Sequence, residues 1–356
     1  MKKEKADKHP IYLLKSRWQA STHSVWIGST LTLHRNFAKY KFPGKLETAR
    51  KEQVISLIFD ELKNSPELKS PQLFYSNHLG PLEKEFLFEH FLVTSNFYGA
   101  HGGEGFIVDA EGDFLAVVNL GDHLQLELTD TEQEIEKTWD RLVKIEHNIG
   151  KSIDFAYNPR FGFLNSNPEL TGTGLVIRLF LHIPAIIHTG ELPEILERES
   201  EEEIIATGLQ GSTSEMIGDI ILAQNSCTIG LTEEYLITSL RMWATKVVVA
   251  EVSIRKRLIN DGDVQLKNKV GRALGLLTHS YQLETVEALN ALSLVKLGVE
   301  LGWIDNPAAL NFNQIVLNCR RAHLIDQLGG GVEIPQLPRK RAEYLSALFM
   351  PLSLKI

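Results

Sequence analysis

Residues 106–119 read FIVDAEGDFLAVVN, two apolar runs around Asp109-Ala-Glu-Gly-Asp113. Turn residues between two such runs predict a β-hairpin. Directly beyond it, HLQLEL at 123–128 alternates like a half-buried strand. Residues 173–183 read as a further strand, and 203–211 with 217–225 as a second strand pair around a Gly-rich turn. Helices are interspersed. In ARKEQVISLIFDELKN (49–64), Val54, Ile55, Ile58, Phe59 and Leu62 share one face. Thr129-Asp130-Thr131 offers N-caps for a helix to about residue 148, with Ile135, Trp139, Leu142 and Val143 inward. Strands and helices do not alternate regularly, and hairpins recur. The expected fold is α+β, an antiparallel sheet flanked by helices rather than a doubly wound parallel sheet.

The C-terminal part reads differently. Thr232-Glu233-Glu234 caps a long helix to about 259, and Asn260-Asp261-Gly262-Asp263 breaks it. Helices follow near 263–281, 283–301, 312–328 and 338–350, with no strand signal among them. Four helices joined by short loops predict an α-helical bundle domain. A chain of 356 residues exceeds what one core usually supports. Three segments are therefore expected: an N-terminal tail over 1–20, a sheet domain over 21–259 and a helical domain over 263–356.

With 37 Lys+Arg against 45 Asp+Glu the net charge is −8, which disfavours nucleic acid as partner. Cys227 and Cys319 lie far apart, so neither a zinc knuckle nor a disulfide framework is expected, and no metal site is read. MKKEKADKHP leads into no apolar segment and is no secretory signal, and its first eight residues read as a frayed, solvated tail. No apolar run reaches the roughly 18 residues of a membrane span, and the expected location is cytoplasmic. HGGEG at 101–105 lacks the strand and helix of a phosphate loop and reads as a turn before a strand. No HExxH, Walker or Ser/His/Asp pattern appears.

Several segments carry a resemblance. Asp154-Phe-Ala-Tyr157 through Phe161-Gly-Phe-Leu164 is similar to a DYAF…GYLT segment. Gly172-Thr-Gly-Leu175 and Leu181-His-Ile-Pro184 are similar to GTGLRASVMLHLP. Val118-Asn119 with Asp122-His-Leu124 resembles VNEEDHLRI. Gly208-Leu209, Gly211 and Ser214-Glu215 resemble RGLYGEGSE. Leu297–Gly302 and Ala322-His-Leu324 resemble a helical C-terminal domain. In this order, these are motifs of the ATP:guanidino phosphotransferases, and specifically of the McsB-type protein-arginine kinases. The resemblance implies a guanidino-kinase (glutamine-synthetase-like) catalytic domain followed by a helical domain.

That family grips ATP phosphates with arginines, whose planar forks donate paired charged hydrogen bonds. A carboxylate orients and deprotonates the guanidinium. By the resemblance, the S-x-R-x-R clamp and the L-x-R-N after it fall on residues 28–36 (GSTLTLHRN), with Ser29 among the clamp positions and Thr30 and Thr32 in place of the two arginines. Leu120 and Gly121 stand for the two glutamates, Gly121 at the base. Gln125, Val176 and Thr207 stand for three more arginines, Ser212 for a glutamate and Asn167 for the reactive cysteine. Each lost charged contact is worth roughly 1.5–3 kcal/mol, and a lost base on the order of 10²–10⁴ in rate.

Other residues leave two readings open. The threonines could still offer neutral hydrogen bonds to an anion, or be plain polar surface. Arg35 follows the first clamp motif and is either a phosphate ligand or a structural ion pair. Arg178 lies two positions beyond Val176, so on a strand it keeps the same face and could be a migrated clamp residue. Asp122 and His123 are retained, either fixing the strand end or acting chemically. The phosphoarginine pocket motif RDxxRA falls on Leu337, Pro338, Arg341 and Ala342. Arg339, Lys340 and Arg341 there form a basic cluster at a helix start, a place that favours anions or is simply solvated.

The expectation is a family member that has lost phosphoryl transfer and serves as a binding scaffold or regulator, with no cofactor. The resemblance also implies a McsA-like zinc-binding partner, a link to the Clp chaperone and protease, and a homodimer. The alternative is an active protein-arginine kinase using ATP and Mg. A third reading is a small-anion or metabolite sensor.

Overall fold

The computed structural model describes residues 9–19, 23–92, 99–100, 102–212 and 215–355. Of the tail expected over 1–20, the first eight residues and Ala20 lie outside that set, as do His101 of the HGGEG turn and Ser214.

The first part of the chain runs β1 (Trp26–Arg35), α1 (Thr48–Lys63), β2 (Gln72–Tyr75), α2 (Pro81–His90), β3 (Gly105–Val108), β4 (Phe114–Val118), β5 (Leu124–Asp130) and α3 (Ile135–Gly150). A short pair follows, β6 (Tyr157–Asn158) and β7 (Gly162–Phe163), then β8 (Leu175–His182), α4 (Pro184–His188), α5 (Leu192–Arg198), β9 (Ile204–Gly208) and β10 (Ile220–Asn225). Eight strands form one sheet in the order β2-β3-β4-β5-β1-β8-β10-β9. β2 to β5 and β1 pair antiparallel. The chain divides into two compact units. One holds Gly28–Arg178 and Asn225–Thr238 with the described N-terminal residues. The other holds Leu179–Gln224 and Ser239–Ile356 with the stretch up to Ile27.

The hairpin of residues 106–119 is β3–β4, with Val108 opposite Leu115. Its turn closes on itself, because Asp109 Oδ1 accepts from Gly112 N at 3.0 Å. Gly112 has φ +69°, and a Cβ there would lie 2.1 Å from the Lys15 carbonyl oxygen, so only glycine fits. Alternation then sorts the strands' side chains. Leu31, Leu33, Leu124, Leu126, Leu128, Leu175 and Ile177 lie on one face and are fully buried. On that side α3 packs on β5 and α1 on α3, each burying its apolar stripe: Val54, Ile55, Ile58 and Leu62 from α1, Leu142, Ile145 and Ile149 from α3.

α3 starts later than its sequence predicts. Asp130 Oδ1 accepts from Glu132 N at 2.9 Å, which makes a local turn at the end of β5 instead of a helix cap. The helix opens only at Ile135, and Trp139 and Val143 lie half-buried at the margin of its stripe.

The second unit is largely helical: α6 (Glu233–Asp261), α7 (Val264–His279), α8 (Thr285–Glu300), α9 (Phe312–Asn318), α10 (Arg321–Gln327) and α11 (Leu337–Phe349). α6 opens within the first unit and runs on into this one. It stops at Gly262, φ +71°, and Asp263 caps α7 by accepting from Leu266 N at 2.9 Å. The core holds Val270, Leu277, Leu292, Val295, Leu345 and Phe349, all fully buried, together with Ile217. Two expectations are corrected here. The single helix over 312–328 is two, α9 and α10, interrupted at Cys319–Arg320. A two-residue pair, β11 (Ile304–Asp305) and β12 (Ser353–Leu354), stands where no strand was expected.

Candidate functional site

The face of β1, β5 and β8 opposite the helices collects the positions read as a nucleotide clamp. In register, Thr30 lies opposite Thr129, Thr32 opposite Glu127 and His34 opposite Gln125. Val176 and Arg178 project from β8 to the same side, since Arg178 Nη1 donates to Thr32 Oγ1 at 3.1 Å. Thr30, Thr32, Gln125, Glu127 and Val176 are all buried. Ser29 does not join them. It alternates to the helix-packed face with Leu31, opposite Asp130.

Glu127 is the residue that dominates this face, and the sequence reading did not single it out. Thr32 Oγ1 donates to its Oε2 at 3.0 Å, so Arg178, Thr32 and Glu127 form one chain of hydrogen bonds. Among the described residues, Glu127 Oε1 has no partner, nor does Thr129 Oγ1 two residues on. Burial pushes the Glu127 carboxyl up to about 7, against Arg178 and Thr32, which favour its ionised form. Burial likewise lowers Arg178, partly offset by Glu127. The alternation of HLQLEL already put Glu127 beside Gln125. Its partner Thr32 is 95 residues away and emerges only from strand pairing.

The base position, Gly121, has φ +85° with open space where a Cβ would stand. That backbone suits glycine and disfavours glutamate. Its neighbour Asp122 is tied into the structure: Oδ1 accepts from Asn36 Nδ2 at 2.6 Å and from Ser166 N at 2.7 Å, Oδ2 from His34 Nδ1 at 3.2 Å. Burial alone would raise Asp122, but those three donors bring it below the usual carboxylate range. Ser166 Oγ also donates to the Gly121 carbonyl, at 2.8 Å.

His123 is fully buried and stacks on Phe37. Burial lowers it to about 4, so it is neutral near pH 7. Its Nε2 lies 3.0 Å from the Lys41 carbonyl, and its Nδ1 lies 2.8 Å from Asn36 Oδ1 and 3.3 Å from Phe37 N, so the ring is held at both nitrogens. Both retained residues thus hold the β4–β5 turn against the segment after β1.

Arg35 is wholly structural. Its guanidinium pairs with Glu146, donates to the carbonyls of His34 and Thr173 at 2.8 Å each, and lies 3.5 Å over the Phe163 ring. Asn167 is exposed and caps a short turn by accepting from Glu169 N at 3.2 Å. Thr207 and Ser212 belong to the second unit. Thr207 is half-buried on β9, and Ser212 Oγ accepts from Glu215 N at 3.1 Å.

In the helical region Arg341 is buried. Its Nε donates to the Cys319 carbonyl at 2.8 Å and its Nη1 to the Leu283 carbonyl at 2.9 Å. Leu337 is buried too, and the Pro338 carbonyl accepts from Leu283 N. Arg339 and Lys340 both pair with Glu343. The basic cluster is therefore divided between a structural arginine and two partly neutralised surface cations.

The family model of the ATP:guanido phosphotransferase C-terminal catalytic domain matches residues 53–254, more than half of the chain. The chain belongs to the ATP:guanido phosphotransferase family. The model of the protein-arginine kinase McsB C-terminal domain matches 263–354. Relatives named protein-arginine kinase include that of Chlamydia pneumoniae, 38% identical over 88% of this chain and 87% of that one. Those of Chlamydia muridarum (34%, 83% of each chain) and Syntrophomonas wolfei (31%, 92% of each) are similar too. Among solved structures, a lombricine kinase superposes with a TM-score of 0.56 at 16% identity, covering 68% of this chain and 69% of that one. A duplicated taurocyamine kinase from Schistosoma mansoni gives 0.57 at 20%, covering 71% and 37%. At those identities the likeness is one of fold: a large antiparallel sheet flanked by helices. No helix among the described residues is long and apolar enough to cross a membrane.

Proposed function

We propose that this member of the protein-arginine kinase family has lost phosphoryl transfer and works by binding, as a scaffold or regulator. One observation carries the reading: a buried carboxylate, Glu127, occupies the sheet face where the family places arginines against a triphosphate. When ionised it repels phosphate, and when protonated it still supplies none of the positive charge that a triphosphate requires. Arg178, the one arginine on that face among the described residues, is engaged with Thr32 beside it. Thr30, Thr32, Gln125, Val176 and Thr207 supply no charge, and Gly121 supplies no base. Partners consistent with this reading are a McsA-like zinc-binding protein and the Clp machinery, with the chain as a cytoplasmic homodimer that needs neither ATP nor Mg.

A second reading is an active protein-arginine kinase with rewired phosphate contacts. The names of the relatives favour it, and at 38% identity over most of the chain they favour it more directly than they favour a loss. Here Arg178 would turn from Thr32 to a phosphate. Calorimetry with MgATP separates the two. The first predicts no affinity tighter than about millimolar, roughly −4 kcal/mol. Micromolar binding would overturn it in favour of the second.

A further inference from the structure

Within the second unit, a chain of buried side chains joins α8 to the end of β8 and to the turn at Ile217–Asp219. Ser293 of α8 places its Oγ 2.7 Å from His182 Nε2 and 2.5 Å from Asp219 Oδ2. His188 Nε2, on α4, lies 3.2 Å from the same carboxylate oxygen. Ser293, His182 and Asp219 are all buried. The turn itself is held from α8, because Asn290 Oδ1 accepts from Gly218 N at 2.7 Å. Asp219 has φ +52°, a left-handed backbone that persists in a non-glycine residue only where its surroundings fix it.

Counting protons fixes the roles in this chain. An ionised carboxylate only accepts, so Ser293 directs its one proton to Asp219 and accepts from His182 Nε2–H. The neutral ring then carries its proton at Nε2, and a second proton at Nδ1 makes a buried cation. Two cations already face the ring. Lys296 of α8 donates to the Ser24 carbonyl at 3.2 Å, and Arg255 of α6 donates to the His182 carbonyl at 3.4 Å. Glu251 of α6 and Glu300 of α8 flank the same place but are paired with Arg255, at 2.6 and 2.5 Å. His188 and Asp219 complete the charged and titratable groups there. Burial first, then Lys296 and Arg255, hold the His182 ring well below the ordinary histidine value of 6.5.

We propose that the His182–Ser293–Asp219 chain is a latch that holds α8 on β8 and on the 217–219 turn, and that acid releases it. The latch joins the two family segments: His182 and Asp219 lie within 53–254, Ser293 within 263–354. Above about pH 6.5 the ring is neutral in the closed and the opened state, and the latch holds in full. Below that, the opened state takes up a proton that the closed state refuses. The hold therefore weakens as pH falls, by up to about tenfold in the opening equilibrium per pH unit. The latch lies apart from the clamp positions, so it stands whether or not nucleotide binds.

The test is hydrogen exchange of the full chain at pH values of about 7.5 and 5, each rate corrected for the intrinsic effect of pH. In the wild type, residues 175–182, 217–219 and 285–300 should exchange roughly tenfold faster or more at the lower pH, with α1 and α3 unchanged. His182→Gln keeps a donor but cannot titrate, and should exchange alike at both pH values. Ser293→Ala breaks the chain, and at pH of about 7.5 should already exchange in those segments as fast as the acidified wild type. Circular dichroism checks folding; should His182→Gln not fold, Ser293→Ala carries the test. Four results overturn the proposal: no acid response in these segments, an equal response in every element, an acid response that survives His182→Gln, or a Ser293→Ala variant indistinguishable from the wild type.

Discussion

Replacing Glu127 by glutamine should change how stability depends on pH. In the wild type, burial pushes the Glu127 carboxyl up to about 7. In the unfolded chain it titrates near the ordinary glutamate value of 4.5. Below both values the two states bind the same proton, and there is no difference. Between them the folded state keeps a proton that the unfolded state has released, so stability falls as pH rises. Above about 7 the penalty is complete. Moving from 4.5 to about 7, at about 1.36 kcal/mol per pH unit, amounts to about 3 kcal/mol. Glutamine removes the titration. It also removes the acid beside Arg178; that attraction exists only while Glu127 is ionised and is already contained in the value of about 7. Wild-type stability minus that of Glu127→Gln should therefore decline by about 3 kcal/mol between pH of roughly 4.5 and 8, then level off. Thermal melting across this range reads it as a wild-type curve that drops by several degrees relative to the variant. Parallel profiles would refute the reasoning, since they would mean that Glu127 is solvated and ionises normally.

Other substitutions separate structural from chemical roles. Asp122→Ala removes three hydrogen bonds, leaving the Ser166 N–H without its acceptor and the Asn36 amide with the Leu164 carbonyl, so it should cost about 3–5 kcal/mol in a melting experiment. Because the Asp122 carboxyl sits below its ordinary range, its contribution should be full near neutral pH and fade as pH falls through that lowered value. Arg341→Ala strips the Cys319 and Leu283 carbonyls of a charged donor and should destabilise the helical region by about 3 kcal/mol; an unchanged melting profile would free Arg341 for a ligand role. Gly121→Glu must adopt a left-handed backbone and should lose about 1–2 kcal/mol, whereas a neutral result would show the turn is free to rearrange.

Local chemistry made much of the fold legible. The hairpin turn at Asp109–Asp113 needs a glycine, and the alternation in HLQLEL fixes which side of β5 faces the helices. The misses have physical causes. Asp130 looks like a helix cap, but its side chain makes a turn instead, which sequence cannot distinguish. No glycine or proline marks the break at Cys319–Arg320 between α9 and α10. β11 and β12 are two residues each and meet across about fifty positions, too short for any periodicity to register. In the site, absent arginines can be counted along the chain. What replaced them cannot. Glu127 acquires its meaning from Thr32 across a strand pair, and Arg35 from Glu146, 111 residues away.

Loss of phosphoryl transfer is tested most directly by incubating the full chain with γ-labelled ATP, Mg and an arginine-rich protein. Transferred label is then assayed for the acid lability of phosphoarginine. With Glu127 on the clamp face and no base at Gly121, label on the acceptor should not exceed that in a control without the chain. Acid-labile label that appears only when the chain is present would contradict the loss and establish an active protein-arginine kinase.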